Sequence, residues 1–297
     1  MLKKYFLWLS ALVLPGYALA CLILIFFLTQ NPLYTAPSPV KVDPEISDLS
    51  GSTQLPDFQA IDQTPERKRA FTDMLLPMIE QKNNYILKNR KSLIQMKETL
   101  AQEKKLTEKQ LTKLTKLRKR YHVTEKSYPE TARAIEILLL RADIIPQAMV
   151  LAQGALESGW GTSRFAVEAN NLFGQWCHKK GCGIVPERRA ADATHEVQLF
   201  SSVEAALDAY YRNINTHNAY REFRQLRAAL RAQDKQLTGT ALVAGLSRYS
   251  ARGMDYVNEL RLVIRVNDFE NVQLAVAEPV IESNGDAIET VSQQNSI

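Results

Sequence analysis

Only three cysteines and four histidines occur in 297 residues, and the cysteines form no C-x-x-C pair. A zinc cluster of the usual spacing is therefore a poor reading, and no metal or cofactor is expected. Lys and Arg exceed Asp and Glu by 37 to 32, a net charge of +5. These cations never gather into one dense patch with interleaved aromatics, which argues against a nucleic-acid partner. No internal repeat is present, so solenoid architectures fall away. The leucines at 93, 100, 106, 111, 114 and 117 sustain no heptad, so no coiled coil is expected. What remains is ordinary: 45% hydrophobic residues, enough for a packed core. The mild basic excess suits a polyanionic surface.

One long apolar run stands out. Lys3 and Lys4 precede a stretch from Tyr5 to about Leu28, interrupted only by Ser10, Pro15 and Gly16. Roughly 20 apolar residues cross a bilayer, so residues 5–28 are expected to form a membrane anchor. The flanking lysines keep the N-terminus inside and send the rest of the chain out. Two cleaved alternatives exist. Ala18-Leu19-Ala20 matches a signal-peptidase site, and Cys21 invites a lipoprotein reading. Against both, residues 22–28 remain apolar where a processed chain turns polar. Export into an oxidising compartment favours a loop-closing disulfide between Cys177 and Cys182. A metal site using His178 or His195, or two free thiols, are the alternatives.

Residues 31–65 carry Pro32, Pro37, Pro39, Pro44, Pro56 and Pro65, the composition of an extended linker. Residues 66–125 read as a charged helical arm, with Phe71, Leu75, Met78, Ile79 and Ile86 at helical spacing. Residues 271–297 form a polar, acidic tail expected to be disordered. The block 126–270 reads as mostly helical. Pro146 begins a helix through Met149, Ala152 and Leu156 that stops at Gly159. Ser201-x-x-Glu204 resembles a capping box ahead of Leu207, Tyr210 and Ile214. Met254 to Val266 is a further helix. Between them, Leu172 to Phe200 holds glycines and short alternating runs, the place for a small β-lobe.

The sharpest local signal is Ala152-Gln153-Gly154-Ala155-Leu156-Glu157-Ser158-Gly159-Trp160-Gly161. Glu157 stands in the last turn of an apolar helix, where the dipole disfavours a carboxylate. Burial beside Leu156 and Trp160 raises its pKa further. A carboxyl kept protonated near neutral pH is what a general acid requires. The plain alternative is a surface glutamate near a helix end. Asn170-Asn171-Leu172-Phe173-Gly174 follows, good turn material whose amides also suit sugar hydroxyls and N-acetyl groups. Trp160, Phe173 and Trp176 are candidates to stack on sugar rings. Tyr249 and Tyr256 flank Gly253, either as core or as exposed loop aromatics.

Taken in order, the Glu157 and Asn170–Gly174 motifs resemble the signature of bacterial glucosaminidases. Gln175-Trp176-Cys177, Gly181-Cys182-Gly183 and Arg248-Tyr249-Ser250 narrow the likeness to the Bax-type proteins of that family. The resemblance covers about 130–268. It implies a mainly α (α+β), lysozyme-like domain with a helical lobe, a small β-lobe and a cleft between them. It also implies hydrolysis of the β-1,4 bond on the reducing side of N-acetylglucosamine in peptidoglycan. Glu157 takes the acid's place, Tyr249 the supporting tyrosine's, and Tyr256 is a second candidate for the latter. A second carboxylate comes from the β-lobe in relatives. Here Glu196 is the first choice, ahead of Glu187, with Asp192 also present. The implied location is a bacterial inner membrane, with the catalytic domain in the periplasm and glycan strands as partner. The rival readings are a lytic transglycosylase and a non-catalytic wall-binding scaffold. A related possibility is hydrolysis of chitin or protein N-glycans.

Overall fold

The computed structural model describes residues 55–187, 189 and 194–272. The expected anchor at 5–28 therefore lies outside the described residues, as does all but the first two residues of the expected tail. Among the described residues no helix is long and apolar enough to cross a membrane.

Nine α-helices and three short strands are found among the described residues: α1 Thr64–Ala101, α2 Glu108–Arg120, α3 Thr131–Arg141, α4 Gln147–Ser158, α5 Arg164–Ala169, β1 Trp176–Cys177, β2 Gly183–Ile184, β3 Glu196–Gln198, α6 Val203–Thr216, α7 Arg221–Ala232, α8 Gly239–Leu242 and α9 Met254–Val266. The protein is thus mainly α, with a small antiparallel sheet in the order β1-β3-β2. Trp176 pairs with Val197 and Cys177 with Glu196, while Gly183 faces Gln198. Glycine is required at 183, because a Cβ there would stand 1.9 Å from the Val197 carbonyl oxygen.

The helix expected from Pro146 runs over Gln147–Ser158 and ends at Gly159 in the left-handed region (φ 57°). The α6 cap differs from expectation. Ser202, not Ser201, accepts the backbone N–H of Ala205, and the helix starts one residue later than a cap at 201 would place it.

Two expectations about organisation are corrected. The last ten residues of the expected linker 31–65 are not extended spacer: Phe58 is buried in the core, and α1 already begins at Thr64. Nor does the expected arm, 66–125, stand apart. Phe71, Leu75, Ile79 and Ile86 join the core formed by Met149, Leu151, Tyr210 and Val257. Further along the same helix, Leu93 and Met96 form a second cluster with Leu114, Leu117, Ile135 and Leu138. Burial of each such side chain contributes about 1.5–3 kcal/mol, while the charged face of the helix stays in water.

Buried charge ties α1 and α2 to the rest. Asp208 on α6 pairs with Lys82 of α1 and Arg120 of α2, and Arg212 approaches at 3.6 Å. Asp143 accepts from Nε and Nη2 of Arg231, each at 2.6 Å, with Arg90 of α1 at 3.4 Å. Burial alone raises the pKa of a carboxyl, but the surrounding cations outweigh it and hold both aspartates below their usual range.

Candidate active site

Glu157 occupies the last turn of α4, half-buried. The turn is fixed by Ser158, whose hydroxyl donates to the Gly154 carbonyl and accepts the Gly161 N–H at 2.8 Å. Gly159, Trp160 and Gly161 all have positive φ, which reverses the chain immediately after the acid.

One oxygen of Glu157 is occupied. Tyr256, from the first turn of α9, donates to Oε1 at 2.7 Å. The Tyr256 hydroxyl in turn accepts from Gln153 Nε2 at 3.0 Å, and Tyr210 donates to Gln153 Oε1 at 2.6 Å. Every donor in this buried chain therefore points toward the carboxyl. With Tyr256 already using its proton on Oε1, the acid's own proton belongs on Oε2. That second edge faces Gly174, where a Cβ would lie 3.1 Å from Oε2. Gly174 adopts φ 59°, and its missing side chain keeps Oε2 uncovered.

Burial pushes the Glu157 carboxyl above its usual range. The Tyr256 hydrogen bond pulls it down, the Glu259 carboxylate pushes it up, and Arg252 lowers it. Burial and the Glu157 charge drive Tyr256 far upward, so its phenol stays a donor at any working pH.

Tyr249 lies flat on Tyr256, with centroids 5.5 Å apart and planes 3° apart, and its hydroxyl donates to the Phe173 carbonyl at 2.7 Å. It positions Tyr256 and the turn at 173–174; no bond to Glu157 is formed by its hydroxyl.

Other expected substrate contacts are corrected. Phe173 is 0% exposed and stacks on Tyr210 at 4.3 Å, so no sugar reaches its ring. Asn171 is buried: its amide binds both backbone groups of Gln175 and the Gln198 carbonyl, pinning the helical lobe to the sheet. Asn170 takes the left-handed cap of α5 and donates to the Phe200 carbonyl at 3.1 Å. Trp160 packs edge-on to Phe71, with Phe269 and the Lys68 ammonium also against it, serving the core. Trp176 alone of these aromatics is open, 57% exposed and stacked on His195 at 4.1 Å.

Cys177 and Cys182 form a disulfide. Glu196, the first choice for a second carboxylate, serves that loop instead. Its two oxygens accept the Gly181 and Gly183 N–H groups at 3.0 and 2.9 Å. Burial raises its pKa, but the amides of Gly181, Gly183 and Cys182 outweigh that and lower it. Glu187 is exposed and paired with Arg164, while Asp192 lies outside the described residues. A metal held by Cys177, Cys182 and Glu196 does not fit, because the sulfurs are bonded to each other and the carboxylate to amides.

Gln153, Tyr210 and Gly174 were not expected as site residues. Gln153 carried a readable signal: a polar residue one turn before Glu157 on an otherwise apolar helix.

Residues 132–269 match the model of the glucosaminidase family, described as mannosyl-glycoprotein endo-beta-N-acetylglucosaminidase. Over 211 residues the chain is 37% identical to the protein Bax of Escherichia coli K12, covering 70% of this chain and 73% of that one. No solved structure gives a significant match. The chain belongs to the glucosaminidase family, and within it is Bax-like.

Proposed function

We propose that the protein is a glycoside hydrolase that cuts peptidoglycan strands at the β-1,4 bond on the reducing side of N-acetylglucosamine, with Glu157 as general acid. The observation that carries this reading is a half-buried carboxyl, raised in pKa, with Oε1 held by Tyr256 and Oε2 bared by Gly174. Oε2 gives its proton to the glycosidic oxygen as the bond to C1 breaks. Water then adds at C1, and its proton leaves to the solvent or recharges Glu157. Tyr256 steadies the carboxylate left behind, and the negative charge of Glu259 favours its return to the acid form. Peptidoglycan is the substrate that fits an apolar anchor at 5–28 and export of the rest of the chain across a bacterial inner membrane.

The test is digestion of purified sacculi by the full-length chain and by Glu157→Gln, with products reduced and weighed by mass spectrometry. Reducing N-acetylglucosamine ends made only by the unmodified protein support the reading. Anhydro-muramyl ends would replace it with a lytic transglycosylase. Sacculus binding without products from either protein would replace it with a wall-binding scaffold.

A further inference from the structure

A cavity of about 530 Å³ is lined by Gln175 and Trp176, the residues that follow Gly174, and by His122, Arg141, Arg212 and His217. Two further cavities, about 300 and 400 Å³, share Asn218 with it and continue past Arg221, Arg224 and Arg248. Glu222 is the one carboxylate among the lining residues of all three.

Backbone carbonyls rather than carboxylates hold Arg141 and Arg224 in place. Arg141 donates to the Tyr121 and His122 carbonyls at 2.7 and 3.0 Å, and Arg224 to the Ile214 and His217 carbonyls at 2.9 Å. Arg212 reaches Asp208 only at 3.6 Å, and that aspartate already holds Lys82 and Arg120. Among the described residues no carboxylate forms an ion pair with Arg221 or Arg248. The crowding shows in the basicities. Burial lowers the Arg141 pKa, Tyr128 partly offsets this and the Arg221 charge lowers it again, while Arg224 is pushed down to about 10 by burial and then by Arg141, Arg227 and Arg221. Like charges kept close with too few counterions form a site prepared for an anion.

The groove is also connected to the acid. From Glu157 a row of rings runs through Tyr256 and Tyr249 to Tyr220 at 5.8 Å and then to His217 at 5.9 Å, on the cavity wall. On the other wall, Gln175 and Trp176 directly follow Gly174 in the chain. The Trp176 end of the groove thus lies within two residues of the Gly174 edge that bares Oε2.

We propose that this arginine-lined groove receives the carboxylates of the short acidic peptides that peptidoglycan strands carry, so that the protein distinguishes peptide-bearing from bare glycan. The proposal rests on the peptidoglycan reading above. An anionic lipid headgroup shares the charge, but the groove's Gln175–Trp176 wall continues directly from Gly174 at the acid, which favours a group carried on the glycan itself.

The test compares the full-length protein with the double variant Arg212→Gln, Arg221→Gln, after thermal melting has shown that both are folded. Each is assayed on peptide-bearing strands and on strands stripped of peptides by an amidase. The unmodified protein should prefer the peptide-bearing strands, and added salt should erode that preference. In the variant KM on those strands should rise by at least about tenfold, the effect of losing even one of the two charge-assisted contacts, with bare strands cut as before. Equal cleavage of both strands by the unmodified protein, or an equal loss on both in the variant, overturns the proposal. To separate its failure from failure of the hydrolase reading, binding of fluorescent peptide-bearing strands is measured in a Glu157→Gln background. Arginine-dependent binding there supports the groove even where no bond is cut. Arginine-dependent binding to phosphatidylglycerol vesicles, with strand binding unchanged, would overturn it in favour of a membrane contact.

Discussion

Tyr256 and Glu157, 99 residues apart in sequence, share a 2.7 Å hydrogen bond in which the phenol is the donor. The direction is enforced by Gln153, whose amide N–H occupies the phenol's acceptor side. A donor aimed at a carboxylate favours its charged form, so removing it raises the pKa.

Tyr256→Phe should therefore move the basic limb of the pH–rate profile upward, the limb at which Glu157 loses its proton. The rate at neutral pH should fall as well, because the carboxylate formed in the transition state loses its partner. The variant also strands the Gln153 N–H in the core, at a cost of about 1–3 kcal/mol in a denaturant melt. A basic limb that stays put or moves down would show that another group controls it.

Gly174→Ala tests the bared edge. Its methyl group would sit 3.1 Å from Oε2, in the path of the glycosidic oxygen, at a residue with φ 59°. Stability should drop by about 1 kcal/mol from the backbone strain, while turnover should fall by about 100-fold. Turnover within a factor of about two of the unmodified protein would mean that the proton leaves by another route.

Asp208→Asn leaves Lys82 and Arg120 buried without their counter-charge and should cost about 3–5 kcal/mol. The same group predicts an acid response. Its folded pKa is depressed, so its contribution is fully present above the unfolded value and disappears as pH falls through the folded one. Asp143 adds the same sign. Thermal melts should thus decline below about pH 4, and the decline should be shallower in Asp208→Asn than in the parent.

Glu196→Gln should act on the loop rather than on the chemistry. It loses the charge that accepts the Gly181 and Gly183 amides. Hydrogen exchange at those two amides should speed up, and kcat should change less than KM as the sheet beside Trp176 loosens. Opening the Cys177–Cys182 bond with a reductant should add to this, since so short a ring contributes about 2 kcal/mol by chain entropy. A collapse of kcat in folded Glu196→Gln would return Glu196 to the catalytic apparatus.

Much of the fold was legible because its punctuation is local. Pro146 and Gly159 bound α4, and the last turn so defined places Glu157. Periodicity likewise located α9. What sequence could not carry was the identity of neighbours across the fold. Phe173 has the composition of a sugar platform, but Tyr210 from α6 covers it. The asparagines at 170 and 171 are turn and tether because Phe200 and Gln198 arrive beside them. Gln153 bonds only where α4, α6 and α9 converge. The charge on α1 spoke for a solvated arm, and its apolar stripe was too sparse to announce a core position.

That helix bears on where the domain's structural edge falls. The family match begins at residue 132, yet Leu75 and Phe71 stand 3.2 and 3.3 Å from where a Cβ on Gly154 would be, against the underside of the acid's own helix. The family model and the folding unit thus have different edges: the matched residues supply the reactive face, and a segment outside the match closes its back. Spanning roughly 57 Å at 1.5 Å per residue, α1 also belongs to both apolar clusters. It therefore joins the second cluster mechanically to the seat of Glu157.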